Sequence, residues 1–229
     1  MRRIFPYLDR LWATDIALTT LLVSLLIYVF VLHPLAQGGF LKFLALASVS
    51  LILISGAFTA SRNRIFRMIV FSWGLLAFIS LWVRFFFPNA VPVFVDFCLA
   101  LVFLVLLNLL ILAQMFREGP TTSHRIMGAV AGYLLLGLTW SLIYYAIALQ
   151  IPGAFQGLET VMEGDKEALR VHFQYFSFSV LTTVGFGDIV PVDPIARMLV
   201  VLEGVAGQLF PAILIARLVS LHVQSGQKA

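Results

Sequence analysis

Thr182-Thr183-Val184-Gly185-Phe186-Gly187-Asp188 sits in a short polar gap between two long apolar stretches, and its reading decides the fold. In a water-soluble chain Gly-Phe-Gly would make a tight turn and nothing more. Here an amphipathic, aromatic-rich stretch from His172 to Leu181 leads into it, and an apolar run suited to a helix, Ile195 to Leu221, follows. The segment is therefore re-entrant, entering and leaving a membrane on one side. Backbone carbonyls can replace the water around a cation if successive residues turn them toward one axis, and glycine supplies the backbone angles that other residues resist. Gly185 and Gly187 meet that need, Val184 and Phe186 are left to pack outward, and Thr183 offers both a carbonyl and a hydroxyl at the inner end.

Composition sets the context. The 229 residues are 61% hydrophobic and 11% charged, against roughly 45–50% and 25% in soluble domains. The chain reads as an all-α membrane protein. About 20 apolar residues cross a hydrocarbon core, and the sequence offers such segments at Trp12 to Leu32, Leu41 to Ala60, Ile65 to Phe86, Val91 to Phe116, Met127 to Gln150 and Ile195 to Leu221. Six transmembrane helices, a re-entrant pore helix and a filter are expected. Arg2 and Arg3 precede the first apolar run, but it is long for a signal core and no Ala-x-Ala site follows, so it reads as a spanning helix. Cys98 stands alone, which excludes an intrachain disulfide. No nucleic-acid or phosphate motif, small-molecule site, metal cluster or nucleophile arrangement argues for an enzyme or a nucleic-acid partner.

From Met127 to Leu221 the order of outer helix, pore helix, Thr-Val-Gly-Phe-Gly-Asp and inner helix resembles the two-helix pore module of potassium channels, most closely that of small prokaryotic six-segment subunits. Two-pore-domain channels share Gly-Phe-Gly but carry two filters per chain. The resemblance implies passive, potassium-selective conduction through a homotetramer, with potassium as the permeant ion and no other cofactor. Thr183, Val184, Gly185, Phe186 and Gly187 would coordinate the ion, mainly through carbonyls. The usual pattern has Tyr where this chain has Phe186, so selectivity is expected while filter rigidity and inactivation are not fixed by the resemblance.

The resemblance also implies supporting roles. Asp188 would stand at the outer pore mouth, either concentrating cations or accepting a hydrogen bond behind the filter. Tyr175, Phe176 and Phe178 would form an aromatic cuff on the pore helix, with Ser179 and Glu203 as further support. Glu203 is an intramembrane carboxylate, which needs a partner such as Ser177 or Ser179, or else senses protons. Gly207 resembles the gating-hinge glycine, and Gly204 and Pro211 are further hinge candidates, although both glycines equally suit close helix packing. Helical spacing puts Gln208, Pro211 or Ala212, Ile215 and Val219 on one face, lining a cavity that narrows at Ile215 and Val219.

In such channels the filter enters from outside, so both termini face the cytoplasm of a plasma membrane, here a bacterial inner membrane. Charge agrees: Arg2, Arg3, Arg10, Arg62, Arg64, Arg67, Arg117, Arg125, Arg217 and Lys228 fall inside, while Lys42, Arg84, Lys166, Arg170 and Arg197 fall outside. Phe85, Phe86, Phe87, Tyr144 and Tyr145 read as aromatic anchors at the outer interface, beside membrane lipids. Residues 1–126 form a four-helix domain and 127–229 a pore domain: outer helix 127–150, turret 151–171, pore helix 172–182, filter 183–188 and inner helix 195–221. In the turret, Pro152-Gly153 turns the chain before a short solvated helix containing Glu159, Glu163 and Asp165.

A voltage sensor needs basic residues in the fourth segment, each worth about 2.3 kcal/mol per 100 mV when moved across the field. Val91 to Phe116 has none, so a conventional voltage sensor is not expected. Asp96, near the outer end of that segment, is positioned to pair with Arg84. Two rival functions follow from the same residues: a weakly selective cation channel, and an ion-coupled transporter. The second calls for internal repeats with broken helices, and residues 1–126 hold no second filter-like segment.

Overall fold

The computed structural model describes residues 16–35, 39–58, 64–87, 92–115, 123–158 and 166–226. In chain order the elements are α1 (Ile16–Ile27), a π-helical turn (Tyr28–Leu32), α2 (His33–Leu35), α3 (Gly39–Phe58), α4 (Arg64–Phe86), α5 (Val93–Met115), α6 (Ser123–Gln150), β1 (Phe155–Gln156), α7 (Lys166–Leu181), β2 (Val190–Pro191) and α8 (Pro194–Gly226). The protein is an all-α membrane protein. Leu18–Leu35, Met68–Phe86, Phe94–Ala113, Ile126–Gln150 and Pro194–Arg217 are long and apolar enough to cross a bilayer. The remaining expected span, α3, has 20 residues and a shorter apolar stretch, Gly39–Ser55. Arg2, Arg3, Arg10, Trp12, Arg62, Arg117, Glu159, Glu163, Asp165 and Lys228 lie outside the described residues.

Two compact units divide the chain, residues 1–135 and 136–229, with the boundary inside α6. In the first unit α1 packs on α3, α3 on α4 and α4 on α5. Leu21, Leu25, Val70, Phe103 and Leu107 are buried, while Phe30, Phe40, Phe71 and Phe94 face outward. Such outward apolar faces suit lipid rather than water. Buried serines find acceptors within their own helices, Ser24 on the Leu21 carbonyl and Ser50 on that of Leu46. Between helices, the Trp82 indole donates to Ser50 Oγ at 3.1 Å and the Trp73 indole to the Leu99 carbonyl at 3.1 Å. The π turn closes with the His33 N–H on the Tyr28 carbonyl. It falls just before Pro34, whose ring lacks an N–H and presses on the preceding turn, and a widened turn accommodates it.

In the second unit two boundaries differ from the sequence expectation. Among the described residues α7, the expected pore helix, is already formed at Lys166, ahead of His172, and Lys166-Glu167-Ala168-Leu169-Arg170 are good helix formers with no breaker among them. The inner helix is still helical at Gly226, and Pro211 lies inside it. Its start is capped by Asp193, whose Oδ1 accepts the N–H groups of Ile195 at 2.8 Å and Ala196 at 3.2 Å, with Pro194 at the first helical position where its missing N–H costs nothing.

Candidate ion-conducting site

A helix ends with carbonyls that have no partner in the helix. At the end of α7 the following residues supply those partners. Thr182 N–H donates to the Phe178 carbonyl at 3.0 Å, Thr183 to Val180 at 2.9 Å, Val184 to Ser179 at 2.9 Å and Gly185 to the same Ser179 carbonyl at 3.2 Å. The Ser179 hydroxyl then accepts the Phe186 N–H at 3.4 Å. Successive amides therefore aim back at the pore helix. Among the described residues, no hydrogen bond ends on the carbonyls of Thr183 to Gly187.

Backbone handedness alternates along the same segment, with φ of 61° at Thr183, 57° at Gly185 and 80° at Gly187. In an ordinary strand successive residues face opposite sides; reversing the hand at every second residue brings their carbonyls toward one side. Glycine accepts this conformation readily. Thr183 does not, being β-branched, and sequence reasoning that looked only for glycines missed it. Its N–H on Val180 helps to hold it there.

Bracing comes from several directions. The Phe186 ring stacks on Tyr175, with centroids 5.9 Å apart and planes within 12°. The Tyr175 hydroxyl meets Asp188, and partial desolvation together with that carboxylate raises the phenol above its ordinary range. Asp188 thus has a hydrogen-bond partner on α7. Phe176 is buried and meets the Tyr144 and Phe155 rings edge-on at 5.3 and 5.7 Å. Phe173, which sequence reasoning passed over, completes this cluster at 4.9 Å from Phe155. Phe178 lies over Gly137 of the outer helix, where a Cβ would come within 2.8 Å of its ring. A glycine inside a spanning segment was the available signal for that contact.

The chain after β1 also touches the end of the Thr182-to-Asp188 segment. Phe155 pairs with Pro191 and Gln156 with Val190 in an antiparallel ladder. Gly157, at φ 88°, follows β1, and a Cβ there would collide with the Asp188 carbonyl.

Residues 132–224 match the sequence profile of a family described as "Ion channel". Over those residues, less than half of the chain, the protein is similar to that ion channel family. Comparisons with curated proteins and with solved structures returned no match.

Within the channel segment, α8 buries Ala196, Glu203 and Gly207 along one stripe. Gly207 lies so close to the end of α7 that a Cβ would collide with the Leu181 carbonyl, whereas Gly204 has nothing within 4 Å. Gly207 therefore has a packing role in the channel, independent of any hinge. Gln208, Pro211, Ile215 and Val219 are exposed on the single chain. Glu203 is fully buried. Of its two expected partners it meets Ser177, at 2.5 Å, and also the Tyr144 hydroxyl, at 2.6 Å. This corrects the reading of Tyr144 and Tyr145 as interface anchors: both are buried inside the channel unit, and the Arg170 guanidinium sits 5.0 Å over the Tyr145 ring. Aromatic anchors and buried aromatic partners look alike in sequence, and only the distant Glu203 distinguishes them.

Proposed function

We propose that the chain is a subunit of a homotetrameric, potassium-selective channel that conducts passively. One observation carries this reading: the amides of Thr182 to Phe186 are bonded to the pore helix while left-handed residues alternate with others from Thr183 to Gly187. That pattern leaves the carbonyls of Thr183, Val184, Gly185, Phe186 and Gly187 free to serve as ion ligands. A single chain offers them on one side only, and four copies about an axis would complete each ring of oxygens. Asp188 would add negative charge at the outer mouth, and the exposed Gln208, Ile215 and Val219 would line the inner cavity. Lipid surrounds the outward apolar faces, both termini are cytoplasmic, and the fourth helix confers no conventional voltage sensing because Val93–Met115 contains no Lys or Arg.

Reconstitution of purified protein into liposomes tests the reading. Potassium flux well above sodium flux, down the gradient, is expected. Equal permeability would identify a weakly selective cation channel, and uptake against the gradient would identify a transporter. Native mass spectrometry in detergent should return four chains; any other closed number overturns the tetramer.

A further inference from the structure

We infer that Glu203 is held as an uncharged carboxylic acid, and that its proton completes a hydrogen-bonded chain from Tyr144 through Ser177 to the Gly137 carbonyl. This makes Glu203 a positioning residue for the pore helix. Three oxygen-to-oxygen contacts meet here: Tyr144 Oη to Glu203 Oε2 at 2.6 Å, Glu203 Oε1 to Ser177 Oγ at 2.5 Å, and Ser177 Oγ to the Gly137 carbonyl at 2.8 Å. Each is of hydrogen-bond length and needs one hydrogen between its oxygens. Tyr144 and Ser177 bring one each, and the carbonyl brings none. If Glu203 were ionised, the Ser177 hydroxyl could serve only one of its two contacts, and lone pairs would face each other across the other. A carboxylic acid supplies the missing hydrogen. Glu203 then donates to Ser177, Ser177 donates to Gly137, and Tyr144 donates to Glu203.

The surroundings agree. An ionised carboxylate buried without a cation is costly, and among the described residues no basic side chain pairs with Glu203. Tyr144 is the titratable group that bonds it from α6, and Ser177 bonds it from α7. Elsewhere on α7, Tyr175 turns to Asp188 and Arg170 to Tyr145, while His172, five residues before Ser177, lies about 140° around the helix. On α8, Arg197 binds the Pro191 carbonyl.

The chain of bonds joins α6, α7 and α8 two residues before Ser179, which holds the filter amides. Removing the Glu203 proton therefore releases Ser177 from one neighbour and loosens the pore helix at its last turn. Glutamine can replace the acid, since its N–H groups donate to Ser177 and its carbonyl accepts from Tyr144. Alanine cannot.

Infrared difference spectra of the full-length protein, wild type against Glu203→Gln, test the protonation directly. A protonated carboxyl band at neutral pH, lost in the variant and replaced by carboxylate bands only at alkaline pH, is expected. Carboxylate bands for Glu203 at neutral pH overturn the inference. The conduction readout rests on the channel reading: Glu203→Gln should keep potassium flux within about twofold of wild type and remove its alkaline decline, and Glu203→Ala should lower flux roughly tenfold. A folded Glu203→Gln protein as impaired as Glu203→Ala overturns the positioning role. Absence of flux in wild type counts against the channel reading alone, because the infrared band is read without conduction.

Discussion

Gly207 and Leu181 meet backbone to backbone, with the inner helix lying against the last carbonyl of the pore helix where no side chain fits between them. Gly207→Ala must push the two helices apart, at a cost of about 1–3 kcal/mol for overpacking. Thermal unfolding in detergent should show that loss, and potassium flux should fall with it. Gly204→Ala, three residues earlier and facing open space, should unfold within about 0.5 kcal/mol of wild type. Equal effects at both positions would mean that the Leu181 contact is not what sets the requirement at Gly207.

Gly185→Ala and Gly187→Ala each force a side chain into the left-handed region, with φ of 57° and 80° respectively, costing about 1–2 kcal/mol per chain. Space is not the obstacle, since neither position has a neighbour within 4 Å of a Cβ on the single chain. Both variants should insert into membranes normally and lose most potassium flux. Wild-type flux in either one would remove these carbonyls from the conduction path.

Tyr175→Phe keeps the ring stacked on Phe186 and removes the hydroxyl that faces Asp188. Desolvation and Asp188 raise the Tyr175 phenol. The bond it donates is thus fully present below the ordinary tyrosine range and is lost only as pH rises through the raised value. The difference in flux between wild type and Tyr175→Phe should therefore stay constant from roughly pH 6 to pH 9. A difference that vanishes within that window would assign the titration to another group.

Arg84 and Asp96 tie α4 to α5 at 2.8 Å, with side chains 30% and 13% exposed, and Ser80 donates to the other Asp96 oxygen at 3.1 Å. A double-mutant cycle with Arg84→Gln and Asp96→Asn should give a coupling of about 1 kcal/mol in thermal unfolding, the upper end for partly exposed pairs. Potassium flux should not change. No coupling would reduce the pair to a contact without energetic weight.

Local chemistry was legible in the sequence, and contacts between distant residues were not. Glycines at 185 and 187, apolar runs of spanning length and the Arg84–Asp96 hairpin pair all follow from residues close together in the chain. Tyr144 and Glu203 are 59 positions apart, so a tyrosine near a helix end was read by its membrane depth instead of its partner. Gly207 likewise fits two roles in sequence, and its packing against the Leu181 carbonyl shows only in the fold. Thr183 escaped because a left-handed threonine has no signature of its own; it is imposed by the amides on either side. The ladder of Phe155 and Gln156 was invisible because two-residue strands have no periodicity to detect.

That ladder has a topological consequence. Pairing Phe155 with Pro191 brings the two ends of the Gly157-to-Ile189 stretch to one point, so the pore helix and filter hang from a single closed ring of chain. Closing a ring costs only about 0.6 kcal/mol more each time its length doubles. Residues added within the ring would lengthen it at little cost while its clasp stays put, so the ladder, and not the length of the ring, fixes where its two ends meet.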